Sequence, residues 1–193
     1  MPKKVLITVS PIYRLAVDRV QARLQEAGCE VHYLGRPDEQ LQAEELLELL
    51  REVEIYLVGN ARVPRPVIEG SPSLALICKF GVGVDNIDLA AAAERGVLVT
   101  NAPGCNAISV AEMTIGLNIA LWRRLKETER SLRDGQWRAI PGDELYGRVL
   151  GIVGLGNIGK EVARRARAFG MRVLSHDIVD YADFCRQFEV EAT

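Results

Sequence analysis

The residues with the clearest chemical potential form a glycine-rich turn, Gly154-Leu155-Gly156-Asn157-Ile158-Gly159, and an acid, Asp177, that follows 18 residues after the last glycine. At this spacing Gly154 permits a tight turn, Gly156 lets the backbone approach a pyrophosphate, and Gly159 lets a helix pack closely on a strand. The helix N-terminus offers unpaired N–H groups and a partial positive charge to phosphates. A carboxylate at Asp177 can accept both ribose hydroxyls and repels a 2′-phosphate. The pattern predicts a site for NAD rather than NADP.

A glycine turn can also be a packing feature that binds nothing, so its context matters. Before the turn, Val149–Val153 predicts a buried strand; after it, Lys160–Phe169 predicts a helix ending at Gly170. Arg172–His176 then predicts a second strand that ends at the acid. Strand, turn, helix, strand and acid occur in the order of a dinucleotide-binding unit. The histidine before the acid is expected at the surface on the adenosine side, not in catalysis.

A second glycine-containing loop, Phe80–Asp88, follows a predicted strand. Gly81 and Gly83 would let backbone N–H groups turn towards an anion at the carboxyl edge of a parallel sheet, where ligands bind in open α/β folds. The alternative is an ordinary strand-to-helix turn, in which Asp88 caps the next helix.

A third loop, Asn101–Asn106, follows the next strand at the same edge. Asn106 could be a turn or cap residue, or an amide that contacts a substrate carbonyl. Cys105 has no histidine near it in the sequence, which disfavours a nucleophilic role.

Strands and helices alternate over residues 1 to about 100, which predicts an α/β fold with a doubly wound, flavodoxin-like parallel sheet. The predicted strands are Val5–Val9, Glu30–Leu34, Ile55–Val58, Leu74–Cys78 and Val97–Thr100, and the predicted helices are Ile12–Ala27, Leu41–Leu50, Pro66–Glu69 and Leu89–Arg95.

Ser109 and Glu112 have the spacing of a capping box and predict the start of a long helix that runs to about Arg130. Its apolar residues occupy more than one face, so we expect it to be largely buried, between two domains or against a partner subunit. Towards the end of the sequence, Asp180–Thr193 predicts a short helix and a third strand at Phe188–Val190.

Composition excludes several classes of function. A net charge of −2 without a cluster of basic residues disfavours nucleic-acid binding. Val5–Val9 is too short for a signal or membrane span, and four cysteines without a CxxC pair indicate reduced thiols, so we expect a cytoplasmic protein. With His32 and His176 as the only histidines, a metal site is not expected.

Two long segments resemble the D-isomer-specific 2-hydroxyacid dehydrogenases, the family of phosphoglycerate, glycerate and D-lactate dehydrogenases. They are FGVGVDNIDLAAAAERGVLVTNAPGCNAISVAE and GRVLGIVGLGNIGKEVARRARAFGMRVLSHD. The resemblance implies an NAD-dependent oxidoreductase that acts on a 2-hydroxy or 2-keto acid. It also implies that residues 1–104 form a substrate-binding domain and residues 105–193 an interdomain helix and the start of a Rossmann NAD-binding domain.

The resemblance also assigns residues to roles. Val82 and Gly83 would bind the substrate carboxylate through their backbone amides, and Asn106 would contact the substrate. The cofactor site would consist of the three fingerprint glycines with Asn157 and Ile158 at the pyrophosphate and Asp177 at the adenosine ribose. The helix from Ser109 to Arg130 would form a homodimer.

Three further residues of the family's chemistry, an arginine, a glutamate and a histidine, follow the nucleotide fingerprint at positions that this sequence does not reach. Hydride transfer to a 2-keto acid needs a proton donor and a cation on the carboxylate. We therefore expect the N-terminal part of a longer dehydrogenase, without catalytic residues and inactive alone. The alternatives are a non-catalytic NAD-sensing or interaction module, like the family's corepressor relatives, or a flavodoxin-like binding protein that uses only residues 1–100.

Overall fold

The computed structural model describes residues 2–193. The chain divides between Pro103 and Gly104 into two compact units, each with its own sheet.

The first unit is a five-stranded parallel sheet in the order β2-β1-β3-β4-β5, flanked by helices. This order is that of flavodoxin-like folds, so the predicted fold class is confirmed. The elements are β1 (Lys4–Thr8), α1 (Arg14–Glu26), β2 (Glu30–Tyr33), α2 (Ala43–Leu50), β3 (Ile55–Val58), α3 (Arg65–Glu69), β4 (Leu76–Lys79), α4 (Leu89–Glu94) and β5 (Leu98–Thr100).

Alternation of side chains along the central strands gives this sheet two buried faces. Val5 and Ile7 of β1 pack with Val17 of α1 on one face. On the other face Leu6 of β1 and Tyr56 of β3 pack against residues of α2, α3 and α4. Because all five strands are parallel, the loops that follow β1, β3, β4 and β5 share one edge of the sheet.

The second unit is a smaller parallel sheet in the order β6-β7-β8. Its elements are α5 (Ala107–Trp122), α6 (Leu125–Arg133), β6 (Val149–Val153), α7 (Asn157–Ala168), β7 (Arg172–His176), α8 (Ala182–Phe188) and β8 (Val190–Ala192). Val162 and Ala163 of α7 pack between the sheet and the buried residues Ala111 and Ile115 of α5.

The predicted long helix is wrong in two respects. It begins at Ala107, after Asn106, so Ser109 lies inside the first turn and makes no capping box. It also ends at Trp122, because Arg124 adopts a left-handed conformation with φ of 51°, and a separate helix, α6, starts at Leu125. The predicted first helix likewise begins as a short 3-10 turn, Pro11–Tyr13.

Several apolar residues of the second unit are exposed within residues 2–193. Along α5 the residues Met113, Leu117 and Leu121 are 64%, 62% and 75% exposed, because only the stripe that includes Ala111 and Ile115 faces the core. Strand β6 is an edge strand, and Val153 is 90% exposed.

The third strand of the second unit starts two residues later than predicted. Phe188 is helical because its ring packs on Phe184 one turn earlier, with centroids 4.6 Å apart. Glu189 then adopts a left-handed conformation that ends the helix, so β8 begins at Val190.

Candidate functional site

The glycine turn between β6 and α7 has a backbone that larger residues cannot adopt without strain. Gly154 has a φ of 95°, and its N–H donates to the carbonyl oxygen of His176 at 2.8 Å. A Cβ at Gly159 would lie 2.1 Å from the carbonyl oxygen of Gly154. The helix therefore contacts the turn at a distance that only glycine allows.

Four consecutive N–H groups at the start of α7 are free to bind an anion. The first backbone hydrogen bond of the helix runs from the N–H of Lys160 to the carbonyl oxygen of Gly156, at 3.0 Å. Within residues 2–193, the N–H groups of Gly156, Asn157, Ile158 and Gly159 donate to no protein acceptor. A Cβ at Gly156 would meet no atom within 4 Å, so this side of the turn is open. The turn thus fits the pyrophosphate of a dinucleotide.

Asp177 is hydrogen-bonded to the backbone of the glycine turn. One carboxylate oxygen accepts the N–H of Leu155 at 2.5 Å and the other accepts the N–H of Val179 at 2.9 Å. These backbone hydrogen bonds, with that of Val179 the strongest cause, lower the pKa of the Asp177 carboxyl and keep it ionised. Each oxygen keeps a further lone pair, which a ribose hydroxyl could use.

The histidine beside this acid is already engaged. The Nδ1 atom of His176 lies 2.8 Å from the carbonyl oxygen of Thr193. Next to Asp177 on its other side, Ile178 is 99% exposed and offers an apolar surface.

In the first unit, the loop after β4 presents a further set of open amides, here a pair. Gly81 has a φ of 139° and its carbonyl oxygen accepts the N–H of Ala102 at 2.9 Å. The side-chain amide of Asn101 donates to the carbonyl oxygen of Val82 at 2.7 Å. The N–H groups of Val82 and Gly83 donate to no acceptor in the part of the chain that the structure describes. Hydrogen bonds from the loop after β5 thus fix the loop after β4 in a conformation in which the N–H groups of Val82 and Gly83 can bind a ligand.

A polar network that the sequence analysis missed lies beside these amides. Asp38 is fully buried, and one of its oxygens accepts the N–H groups of Asn60 and Ala61 at 2.6 and 3.2 Å. The side-chain amide of Asn86 donates to the carbonyl oxygen of Ala61 at 2.6 Å. The ammonium group of Lys79 donates to the carbonyl oxygen of Gly59 and, at 3.2 Å, to the side-chain oxygen of Asn86.

The remaining predicted residues have simpler surroundings. Asp88 accepts the N–H of Ala91 at 2.8 Å, which confirms it as the cap of α4. Asn106 precedes α5 in the second unit and makes no side-chain capping bond. It is exposed, as is Cys105, and all four cysteines are free.

Among residues 2–193, no group of three or more histidine, cysteine or acidic side chains is placed to hold a metal ion. Nor does that range contain a helix with the length and apolar character needed to cross a bilayer.

Comparison with known proteins gives a consistent result. The sequence profile described as "D-isomer specific 2-hydroxyacid dehydrogenase, catalytic domain" matches residues 7–185. A D-3-phosphoglycerate dehydrogenase from Methanocaldococcus jannaschii is 46% identical over 140 residues, which is 71% of this chain and 27% of the relative. A hydroxypyruvate reductase from Thermotoga maritima is 43% identical over 142 residues, which is 72% of this chain and 46% of the relative.

The fold is also that of solved dehydrogenases. A D-lactate dehydrogenase from Aquifex aeolicus, complexed with NAD and lactic acid, superposes with a TM-score of 0.81 at 29% identity. The match covers 98% of this chain and 55% of that structure. The chain thus spans between about a quarter and about half of the length of these relatives.

Proposed function

The chain belongs to the D-isomer specific 2-hydroxyacid dehydrogenase family, and from this premise we propose that it is the N-terminal part of an NAD-dependent oxidoreductase. The substrate would be a 2-hydroxy or 2-keto acid such as phosphoglycerate. When bound, a nicotinamide cofactor accepts a hydride from the hydroxy acid or donates one to the keto acid. We place this reaction in the cytoplasm, where the four free cysteines would stay reduced.

The observation that carries the cofactor assignment is the pairing of open amides with an ionised acid. The N–H groups of Gly156–Gly159 are available to a pyrophosphate, and Asp177 is hydrogen-bonded to the same turn through Leu155. In this proposal Asn157 and Ile158 bind the pyrophosphate through their backbone, and Asp177 accepts the ribose hydroxyls. The fixed negative charge disfavours a 2′-phosphate.

The substrate carboxylate would bind the N–H groups of Val82 and Gly83, and the side-chain amide of Asn106 would contact the substrate. His32 lies within β2, and two strands separate it from β4 in the sheet, so it is unsuited to donate a proton at this loop. His176 belongs to the ribose side of the cofactor turn. We therefore assign no catalytic acid or base to the described residues and expect cofactor binding without turnover from this chain alone.

The exposed apolar face of α5 supports a homodimer. Met113, Leu117 and Leu121, spaced four residues apart, are each more than half exposed on a helix whose opposite side is buried in the second unit. An apolar surface of this kind is typical of subunit interfaces. Sedimentation analysis should show a dimer that Leu117→Glu converts to the 21.3 kDa monomer. A monomeric wild-type chain would contradict this assignment.

The cofactor proposal is tested by fluorescence titration of the chain with NADH and NADPH. We expect NADH to bind more tightly and Asp177→Asn to reduce that preference about tenfold, because the loss of a hydrogen bond to a charged group costs about 1.5–3 kcal/mol. Asp134→Asn, which changes a carboxylate directly after α6, serves as the matched control and should bind like wild type. Tighter binding of NADPH by the wild-type chain would show that the role of Asp177 is wrong.

Gly156→Ala gives a second arm of the same experiment. The new methyl group meets no protein atom within 4 Å, so unfolding should be unchanged. It would point into the space assigned to the pyrophosphate, and we expect NADH affinity to fall at least about tenfold. Unchanged affinity in this folded variant would place the phosphates elsewhere.

A further inference from the structure

The polar network at the carboxyl edge of the first sheet has an unusual composition for a protein interior. Asp38 is fully buried, and its second carboxylate oxygen is without a hydrogen-bond partner among the described residues. Lys79, half-buried at the end of β4, places its ammonium group in the same region. A buried acid with an unpaired oxygen is costly unless a positive charge lies nearby. Such a feature calls for a role beyond packing.

The network connects three loops of the sheet edge. The carboxylate of Asp38 accepts hydrogen bonds from the backbone N–H groups of Asn60 and Ala61, and the side-chain amide of Asn86 donates one to the carbonyl oxygen of Ala61. The backbone carbonyl of Asn86 also accepts the N–H of Val63 at 2.7 Å. Asn86 belongs to the same loop as Val82 and Gly83, so this loop is fastened to the segment after β3.

Lys79 bonds to two of the loops in this network. Its ammonium group donates to both Gly59 and Asn86, which belong to different loops. It precedes Gly81, the glycine with positive φ, by two residues. Lys79 therefore links the segment after β3 to the loop that carries the two amides.

Charge gives Lys79 a second effect. The carboxylate of Asp85 lies 3.4 Å from the position that a Cβ on Gly83 would occupy, so a negative charge adjoins the open amides. Burial lowers the pKa of Lys79, whereas the carboxylates of Asp38 and Asp85 oppose that shift. The charge of Lys79 thus interacts favourably with both carboxylates, and it counters their repulsion of an anion.

We propose that Lys79 is a positioning residue, which holds the Val82–Gly83 amide pair in the conformation that receives the substrate carboxylate and offsets the charges of Asp38 and Asp85. Lys79 itself does not contact the substrate. This inference rests on the proposed function, because it takes the two amides as the carboxylate site.

The test is an NMR titration of the isotopically labelled chain with pyruvate. We expect pyruvate to shift the Val82 and Gly83 amide resonances of the wild type. Lys79→Met should weaken this response at least about tenfold, and Lys79→Arg, which keeps the charge and the donors, should restore most of it. The matched control is Lys126→Met on α6.

The outcomes distinguish failure of the proposed carboxylate site from failure of the role of Lys79. A wild-type chain whose Val82 and Gly83 resonances ignore pyruvate overturns the carboxylate site and this inference together. A normal response in Lys79→Met overturns the role of Lys79 alone. NADH affinity of Lys79→Met should stay unchanged, because the cofactor turn belongs to the other unit. If Lys79→Met does not fold, Asn86→Ala removes the same junction, and an unchanged pyruvate response there overturns the inference equally.

Discussion

The two amide loops of this protein present unpaired N–H groups by different means. At Gly154–Gly159 the backbone itself provides the geometry, through a positive φ, a helix start and a close glycine contact. At Val82–Gly83 side-chain hydrogen bonds between separate segments provide it, since Asn101, Asn86 and Lys79 join this loop to the segments after β3 and β5. The first kind of loop is local and the second depends on long-range contacts. We therefore expect substitutions that distort the backbone of the first loop to lower both stability and NADH affinity, and substitutions around the second loop to weaken pyruvate binding alone.

Gly159→Ala should have the largest effect of any change at the two loops. Its Cβ would lie 2.1 Å from the Gly154 carbonyl oxygen, so helix and turn must separate. We expect a loss of about 1–3 kcal/mol in the free energy of unfolding, with loss of NADH binding. Denaturant unfolding and NADH titration measure the two effects.

The matched control is Gly151→Ala, in β6, where a Cβ would meet no atom within 4 Å. Its stability should remain close to that of the wild type. A Gly159→Ala variant as stable as Gly151→Ala would show that the turn tolerates a side chain and that the local account is wrong.

Asn101→Ala should have a smaller and more selective effect. It removes the 2.7 Å hydrogen bond to the Val82 carbonyl oxygen, worth about 1 kcal/mol, without adding an atom. We expect pyruvate to bind about fivefold more weakly in the NMR titration, while NADH affinity stays the same. Asn118→Ala, whose side chain bonds only within α5, is the control. An equal loss of NADH affinity in Asn101→Ala would contradict the independence of the two loops.

The smallest effects should come from pH, which distinguishes the loops without mutation. The pKa of Asp177 is lowered by backbone hydrogen bonds, so its folded-state charge and the stability it adds are present at neutral pH and lost only as pH falls through that lowered pKa. NAD⁺ affinity should therefore be independent of this group from about pH 5 to about pH 8. Calorimetric titration with NAD⁺ at several pH values checks this.

At alkaline pH the other loop should respond. The pKa of Lys79 is lowered by burial, so its charge is lost at a lower pH than that of an exposed lysine. Pyruvate binding should weaken as Lys79 deprotonates, since Asp38 and Asp85 then face the amides without a counter-charge. A pyruvate affinity that follows the titration of exposed lysines instead would remove this difference between the loops.

The same division explains which features could be predicted from the sequence. Strands β3 and β7 have the predicted bounds, and the Asp88 cap is confirmed, because each depends on adjacent residues. The glycine turn also has a local pattern. Asp38 could not be predicted, because its partners lie 22 and 23 residues away and follow from the fold.

One error has a similar physical origin. The break at Arg124 was missed because arginine is a good helix former, and nothing in its neighbours signals a left-handed residue.

The hydrogen bond between Asp177 and the N–H of Leu155 has a practical consequence for protein engineering. Replacing the acid to admit a phosphorylated ribose also leaves the N–H of Leu155, a buried residue of the turn, without its acceptor. A redesign for NADP would need a neutral acceptor at this position as well as a new cation for the phosphate. Exchanging the coenzyme is thus a problem of at least two residues.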